Sequence, residues 1–283
     1  MSKFFNETQK ANQWAQQKLA NQDLDVREML ESIKHGPTPE TPLADARLSR
    51  CRQVHVGNGT AVRLVLRQDD SSRAALEAYR GLRTRLMRVQ AKTGLKSIAL
   101  TSSLPGEGKT LTTMNLGLCY AQLPQQRVLV IDADLRTCGL TALLDHPSTP
   151  GLAEVLAGNV TPDDAILATD QKNLFVLPAG TVSSPPPEPF TGTRWQEFIG
   201  HCGELFNLIL IDTPPMLPLA DFELISAACD GVVMVVRARH ADRAVLQKTA
   251  SGVDRKKLLG VVLNGTDTNE KHYYGYKYAE GKS

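Results

Sequence analysis

The sequence predicts an α/β protein of three layers with a mostly parallel central sheet, and three observations carry that reading. From Lys96 onward, short runs rich in aliphatic and β-branched residues alternate with helical stretches, the order expected when helices cover a sheet. Several of these runs are apolar almost throughout, as strands buried on both faces must be. The run Ser97 to Thr101 passes through a glycine-containing loop ending in Gly-Lys-Thr and on into the helical stretch Leu111 to Gln122. Strand, loop and helix in that order form the context of a phosphate-binding loop.

Taken in order, residues 6–34 are rich in Gln, Asn and charge, yet Val26, Met29, Leu30 and Ile33 fall at i, i+3, i+4 and i+7. That stripe predicts a small amphipathic helix for docking or packing. The segment His35 to Pro42, with Gly36, Pro37, Pro39 and Pro42, reads as a linker because spaced prolines defeat both helix and ladder. Residues 53–66 hold two short β-like runs around Gly57-Asn58-Gly59, and residues 71–92 return to a helical pattern in a basic helix carrying Leu76, Tyr79, Leu82, Leu86 and Val89. Strands follow at 97–101, 127–131, 174–177, 208–211, 231–236 and 258–263. The proline run Ser183 to Pro189 reads as a surface loop, since its prolines cannot join a ladder. The chain therefore divides into an extension at 1–70, a phosphate-loop domain at 71–268 and a tail at 269–283.

Composition narrows the function classes. With 283 residues, 42% of them hydrophobic and 22% charged, the chain can bury a large core, which excludes wholesale disorder and a scaffold held by staples. Residues 1–95 carry 16 Lys and Arg against 10 Asp and Glu, whereas the remainder carries 16 against 20. A basic stretch of this kind suits an anionic partner or simply a solvated helix face, and no nucleic-acid partner is expected from it. Cys51, Cys119, Cys138, Cys202 and Cys229 are odd in number and never form a CxxC pair, which argues against a disulfide framework or a zinc site and fits a reducing cytosol. No apolar run approaches the roughly 20 residues of a spanning helix, so a role at a membrane would require recruitment by another molecule.

The chemistry starts in the loop Ser102-Ser103-Leu104-Pro105-Gly106-Glu107-Gly108-Lys109-Thr110, although Ser103 stands where the general pattern has its first glycine. Backbone N–H groups of such a loop and the following helix N-terminus wrap phosphates, Lys109 neutralises β/γ charge, and the Thr110 hydroxyl can ligate Mg²⁺. Two carboxylate features follow. Val128 to Asp134 ends a strand with Asp132 and Asp134 two apart, on one face at the end where open α/β sheets bind ligands. Leu208 to Asp212 ends a second buried strand with a lone carboxylate, followed by Thr213-Pro214-Pro215. Behind a phosphate loop these residues read as ligands of Mg²⁺ and water in an ATP site.

The combination of Ser103-x-Pro105-x-Glu107-Gly108-Lys109-Thr110, Ile131-Asp132-Ala133-Asp134-Leu135-Arg136, Ile211 to Pro215 and the C-terminal His272 to Tyr278 resembles the bacterial tyrosine kinases of exopolysaccharide and capsule synthesis. Most similar are the separate cytoplasmic kinases that work beside a membrane-embedded chain-length determinant. The resemblance spans about residues 72–278 and implies a phosphate-loop fold of the deviant Walker type, akin to ParA and MinD. It implies ATP and Mg²⁺ as cofactors, with Ser103, Pro105, Gly106, Glu107, Gly108, Lys109, Thr110 and Leu111 around the phosphates and Asn264 beside the adenine. Asp132 is the candidate base, with Thr110, Asp134 and Asp212 on the metal and Lys109 on the transferring group. Glu77, Arg80 and Arg83 match the family's ExxRxxR helix for head-to-tail homo-oligomers. The implied partners are an inner-membrane co-polymerase that recruits and activates the enzyme, and a cognate tyrosine phosphatase. Two departures flank the expected docking surface for an incoming tyrosine. Thr137-Cys138 follows Arg136 where the family often has Arg-Pro, and Pro186-Pro187-Glu188-Pro189-Phe190-Thr191 replaces Pro-Pro-Asn-Pro-Ser-Glu.

Of six tyrosines, four crowd the end of the chain as Tyr273, Tyr274, Tyr276 and Tyr278, with no strand or helix periodicity around them. They read as phosphoacceptors on a mobile tail. A phenol of pKa about 10 needs a base and stabilised phosphate charge to react at neutral pH, which is what the carboxylates and Lys109 would supply. Two other readings compete. A ParA- or MinD-like positioning ATPase would hydrolyse ATP without labelling itself, but Leu104 is not the lysine such loops carry and the tail is not an amphipathic helix. A nucleotide-sensing subunit without catalysis would not need the complete set Lys109, Asp132, Asp134 and Asp212.

Overall fold

The computed structural model describes residues 46–56, 73–144, 150–182, 188–217 and 221–266. The stripe at 26–33, the linker at 35–42 and the tyrosines at 273–278 lie outside the described residues, as does most of the proline run at 183–189. Eight strands form one sheet: β1 (Arg52–Val54), β2 (Ser97–Ser102), β3 (Val128–Asp132), β4 (Leu167–Thr169), β5 (Leu174–Leu177), β6 (Leu208–Asp212), β7 (Gly231–Arg237) and β8 (Leu258–Asn264). Their order is β1-β4-β5-β3-β6-β2-β7-β8, and every neighbouring pair is parallel except β4 with β5. The expected mostly parallel sheet is therefore what the chain forms, with β1 and β4 running against the other six strands.

Alternation within the strands builds both cores. In β6, Leu208 and Leu210 join one apolar cluster while Ile209 and Ile211 join the other, and β3 divides Val128 and Val130 from Leu129 and Ile131 in the same way. Each fully buried Leu, Ile or Val of this kind contributes roughly 1.5–3 kcal/mol. Helices α1 (Arg73–Thr93) and α2 (Lys109–Ala121) cover the first face with Leu86, Met114, Leu116 and Tyr120. Because α2 is wedged between the sheet and α1, ten of its residues are buried and it shows no clean polar stripe. The short helices α3 (Leu152–Ala157) and α4 (Pro162–Ala165) lie between β3 and β4 in the chain; α5 (Arg194–Leu205), α6 (Asp221–Ala227) and α7 (Arg243–Ser251) follow β5, β6 and β7. The second face is closed by Leu152 of α3, Trp195, Phe198 and Cys202 of α5, and Phe222 and Ile225 of α6. The Trp195 indole stacks at 5.8 Å on Phe198 and donates to the Ile225 carbonyl at 2.9 Å, so its buried N–H is satisfied.

The sheet starts earlier than residue 71, where the sequence draws the boundary of the domain. β1 pairs Arg52 to Val54 with Leu167 to Thr169, and Leu48, Cys51, Val54 and Val56 are buried in the two cores. The β-like run read from residue 53 overlaps β1, whereas β4, a strand of three residues, has too few positions to display a period and leaves little trace in the pattern. All five cysteines are free thiols, and burial holds those of Cys51 and Cys229 up at about 11 and about 12, so they are inert packing groups. Among the described residues no helix is long and apolar enough to cross a membrane.

Candidate active site

Strand register assembles the site. β3 and β6 pair so that Asp132 stands directly across from Asp212, both at the carboxyl ends of their strands, and β2 lies on the other side of β6 with Leu100 opposite Asp212. The loop from Ser103 to Gly108 leaves β2 beside this pair and enters α2, whose first residue is Lys109. Gly108 is the residue before the helix, at φ 90, and has no side chain to cap it, so the first-turn N–H groups of α2 stay open to an anion. A Cβ at Gly108 would collide with the Asn264 amide, which fixes glycine there twice over.

The three carboxylates differ in what holds them. Asp134 accepts from the Lys109 ammonium at 3.0 Å and from the Thr137 N–H at 3.1 Å. Asp132 takes both the N–H and the hydroxyl of Thr141 on one oxygen, at 2.7 and 2.6 Å, and its other oxygen is buried without a partner. Asp212 is fully buried and neither oxygen has a hydrogen-bond partner. Burial pushes the Asp212 carboxyl up to about 7 against the pull of Lys109, and pushes Asp132 up to about 6 against its bonds from Thr141. Burial alone would lower Lys109, but Asp212 and Asp134 outweigh it and raise its pKa, so the ammonium is charged.

The two unpartnered oxygens of Asp212 are donors of the kind a hard cation such as Mg²⁺ takes. Among the described residues no three His, Cys, Asp or Glu side chains converge as a complete metal cage. Mg²⁺ is commonly held by one or two carboxylates and completed by phosphate and water.

Other expected site residues are placed differently from what their spacing suggests. The Glu107 carboxylate is fully buried and turned back into the loop, accepting from the Leu104 N–H at 2.9 Å. Asn264 donates its amide to the Glu107 carbonyl at 2.9 Å. On α1, Glu77 and Arg80 form an exposed pair at 2.6 Å, whereas Arg83 turns inward to the Cys119 carbonyl of α2 at 2.6 Å. Three groups with no motif also border the site. Thr141 fixes Asp132, while Arg237 and His240 reach the loop carbonyls of Gly106 and Pro105 at 3.3 and 2.9 Å. Beyond Asp134, Arg136 grips the buried Asp221 of α6 with two bonds of 2.7 and 3.1 Å.

A parallel sheet whose central strands deliver a phosphate loop and two facing carboxylates defines a phosphate-loop nucleotide protein. The family model described as an AAA domain matches residues 95–253. Tyrosine-protein kinase YwqD of Bacillus subtilis is 32% identical over 202 residues, covering 71% of this chain and 85% of that one. Tyrosine-protein kinase CpsD of Streptococcus agalactiae is 33% identical over 184 residues, covering 64% of this chain and 80% of its own. Among solved structures, the kinase domain of Escherichia coli tyrosine kinase ETK superposes with a TM-score of 0.67 at 25% identity, covering 84% of this chain and 99% of that domain. The chain belongs to the bacterial tyrosine-protein kinase family.

Proposed function

We propose that this tyrosine kinase transfers the γ-phosphoryl group of ATP to Tyr273, Tyr274, Tyr276 and Tyr278 of a neighbouring copy, and so controls the polymerisation and export of an exopolysaccharide. The observation that carries the proposal is the Asp132–Asp212 pair, two carboxylates in register beside the phosphate loop with three buried oxygens that lack a hydrogen-bond partner. Asp132 accepts the phenolic proton on its free oxygen while Thr141 holds the other. The new bond joins the phenolic oxygen to the γ-phosphorus, the bond from that phosphorus to the β-phosphate oxygen breaks, and ADP leaves. Lys109 moves from Asp134 onto the phosphate oxygens and neutralises the charge that develops there. Mg²⁺, when bound by Asp212 and Thr110 with Asp134 nearby, supplies Lewis-acid stabilisation of the leaving phosphate.

Family membership supports the remaining parts: head-to-tail assembly through Glu77 and Arg80, activation by a membrane-embedded co-polymerase, and reversal by a phosphatase. Each added phosphate brings about −1.5 to −2 charge, which would repel the carboxylates of a neighbour and loosen the assembly. Mass spectrometry of the purified chain after ATP, with and without the co-polymerase's cytoplasmic segment, tests the reading. Phosphotyrosine confined to residues 273–278 and absent from Lys109→Met is expected, with Lys109→Met labelled when mixed with an active copy. Release of inorganic phosphate with no tyrosine labelled would instead describe a positioning ATPase.

A further inference from the structure

Three consecutive carbonyls of the phosphate loop are each held by a side chain from the β7–β8 end of the sheet. Pro105 accepts from His240 Nε2 at 2.9 Å, Gly106 from Arg237 Nη1 at 3.3 Å, and Glu107 from Asn264 Nδ2 at 2.9 Å. A carbonyl only accepts, so the His240 ring carries its proton on Nε2. The residues that donate are themselves tied down. Ala238 donates its N–H to the Asn264 carbonyl at 2.8 Å, Gly265 donates to the Asn264 side-chain oxygen at 2.9 Å, and the Arg237 N–H reaches the Glu107 carboxylate at 3.4 Å.

The consequence follows from the geometry of a planar trans peptide, in which the N–H of each residue points opposite to the carbonyl before it. Holding the carbonyls of Pro105, Gly106 and Glu107 toward β7 and β8 turns the N–H groups of Gly106, Glu107 and Gly108 the other way. Gly106 and Gly108, at φ 80 and 90, provide the left-handed turns that let successive N–H groups converge on one anion. We propose that Arg237, His240 and Asn264 are positioning residues that preset the phosphate loop for the triphosphate before it binds. Asn264 therefore acts on the phosphate end of the nucleotide through Glu107, in addition to any neighbourhood it has with the base. The proposal rests on the ATP site described above.

The test is direct binding of a fluorescent ATP analogue with Mg²⁺ to the full chain, paired with steady-state phosphorylation. His240→Ala removes one donor of the brace, and His240→Asn returns an N–H to that position. Losing one bond of this type is expected to weaken binding about five- to tenfold. The loss should fall on KM for ATP, with kcat at saturation within twofold of the parent and the melting temperature of the free protein lower by no more than a few degrees. His240→Asn should recover most of the affinity that His240→Ala loses. Variants that bind as tightly as the parent, or lose kcat with affinity intact, would overturn the brace and leave the ATP site standing. A parent chain that binds no ATP would overturn both.

Discussion

Thr141 gives both its backbone N–H and its hydroxyl to the same oxygen of Asp132, and that hydroxyl also accepts the Ala179 N–H at 2.8 Å. One threonine thus ties the end of β3 to the end of β5 and leaves the second Asp132 oxygen as the free one. Both Thr141 bonds favour the ionised carboxylate against the burial that pushes it up to about 6. Thr141→Val should push Asp132 further up and move the acid limb of the kcat/KM profile to higher pH, because a base works only when deprotonated. It should also cost about 1–3 kcal/mol of stability through the stranded Ala179 N–H, and Thr141→Ser should restore both properties. An acid limb that stays in place would remove Asp132 from the role of base.

Asp212 makes the site costly to fold. Its carboxyl lies near 7 in the native protein and about 3.9 in an unfolded chain, so between those values the native state binds the extra proton. Stability from this group is present at low pH and is lost as pH rises through that window. The metal-free protein should therefore melt lower at pH 8 than at pH 5. Asp212→Asn should abolish much of that slope and gain on the order of 2 kcal/mol at pH 8, or about 5 °C, while losing phosphoryl transfer. Calorimetry in a chelating buffer measures the first effect and tyrosine labelling the second.

Arg136 and Asp221 are unequal partners, with side-chain exposures of 36% and 2%. Removing the exposed partner leaves a buried charge, whereas removing the buried one leaves an arginine that can reach water. Arg136→Ala should then cost about 2 kcal/mol more than Asp221→Asn in denaturant unfolding.

α2 presses on β3 at Gly117, where a Cβ would stand 2.7 Å from Val130 Cγ2. Gly117→Ala should lose about 1–3 kcal/mol despite the better helix propensity of alanine, since a close-packed interior resists one more methyl group. A stabilised variant would show that helix and sheet can separate there without cost.

Much of this architecture is legible in the chain because chemistry and burial constrain residue type at fixed spacing. The phosphate loop, the strand-end carboxylates and the apolar strands of β2, β3, β6 and β7 fall in that class. What the chain conceals is non-local or made by backbone. The facing of Asp132 and Asp212 depends on two strands distant in sequence that come into register. Arg237 and His240 act on main-chain carbonyls, which any residue supplies, and Thr141 reaches Asp132 from nine residues further along the chain, so no motif announces them. The spacing of Glu77, Arg80 and Arg83 gives a common face without saying whether a long side chain will lean outward or, as Arg83 does, inward to α2.

β8 ends at Asn264, at the same end of the sheet as the carboxylates, three strands from the β6 of Asp212 and four from the β3 of Asp132. Neighbouring strands are about 4.8 Å apart, so those separations are roughly 14 and 19 Å. Tyr273 comes nine residues later, and nine extended residues span up to about 30 Å. The tether is thus long enough to serve the molecule's own site as well as a neighbour's. Reach imposes no direction on the reaction, and a preference for the neighbour has to come from how protomers assemble. At protein concentrations too low for assembly, labelling that persists would be first order in enzyme and would mark transfer within one chain.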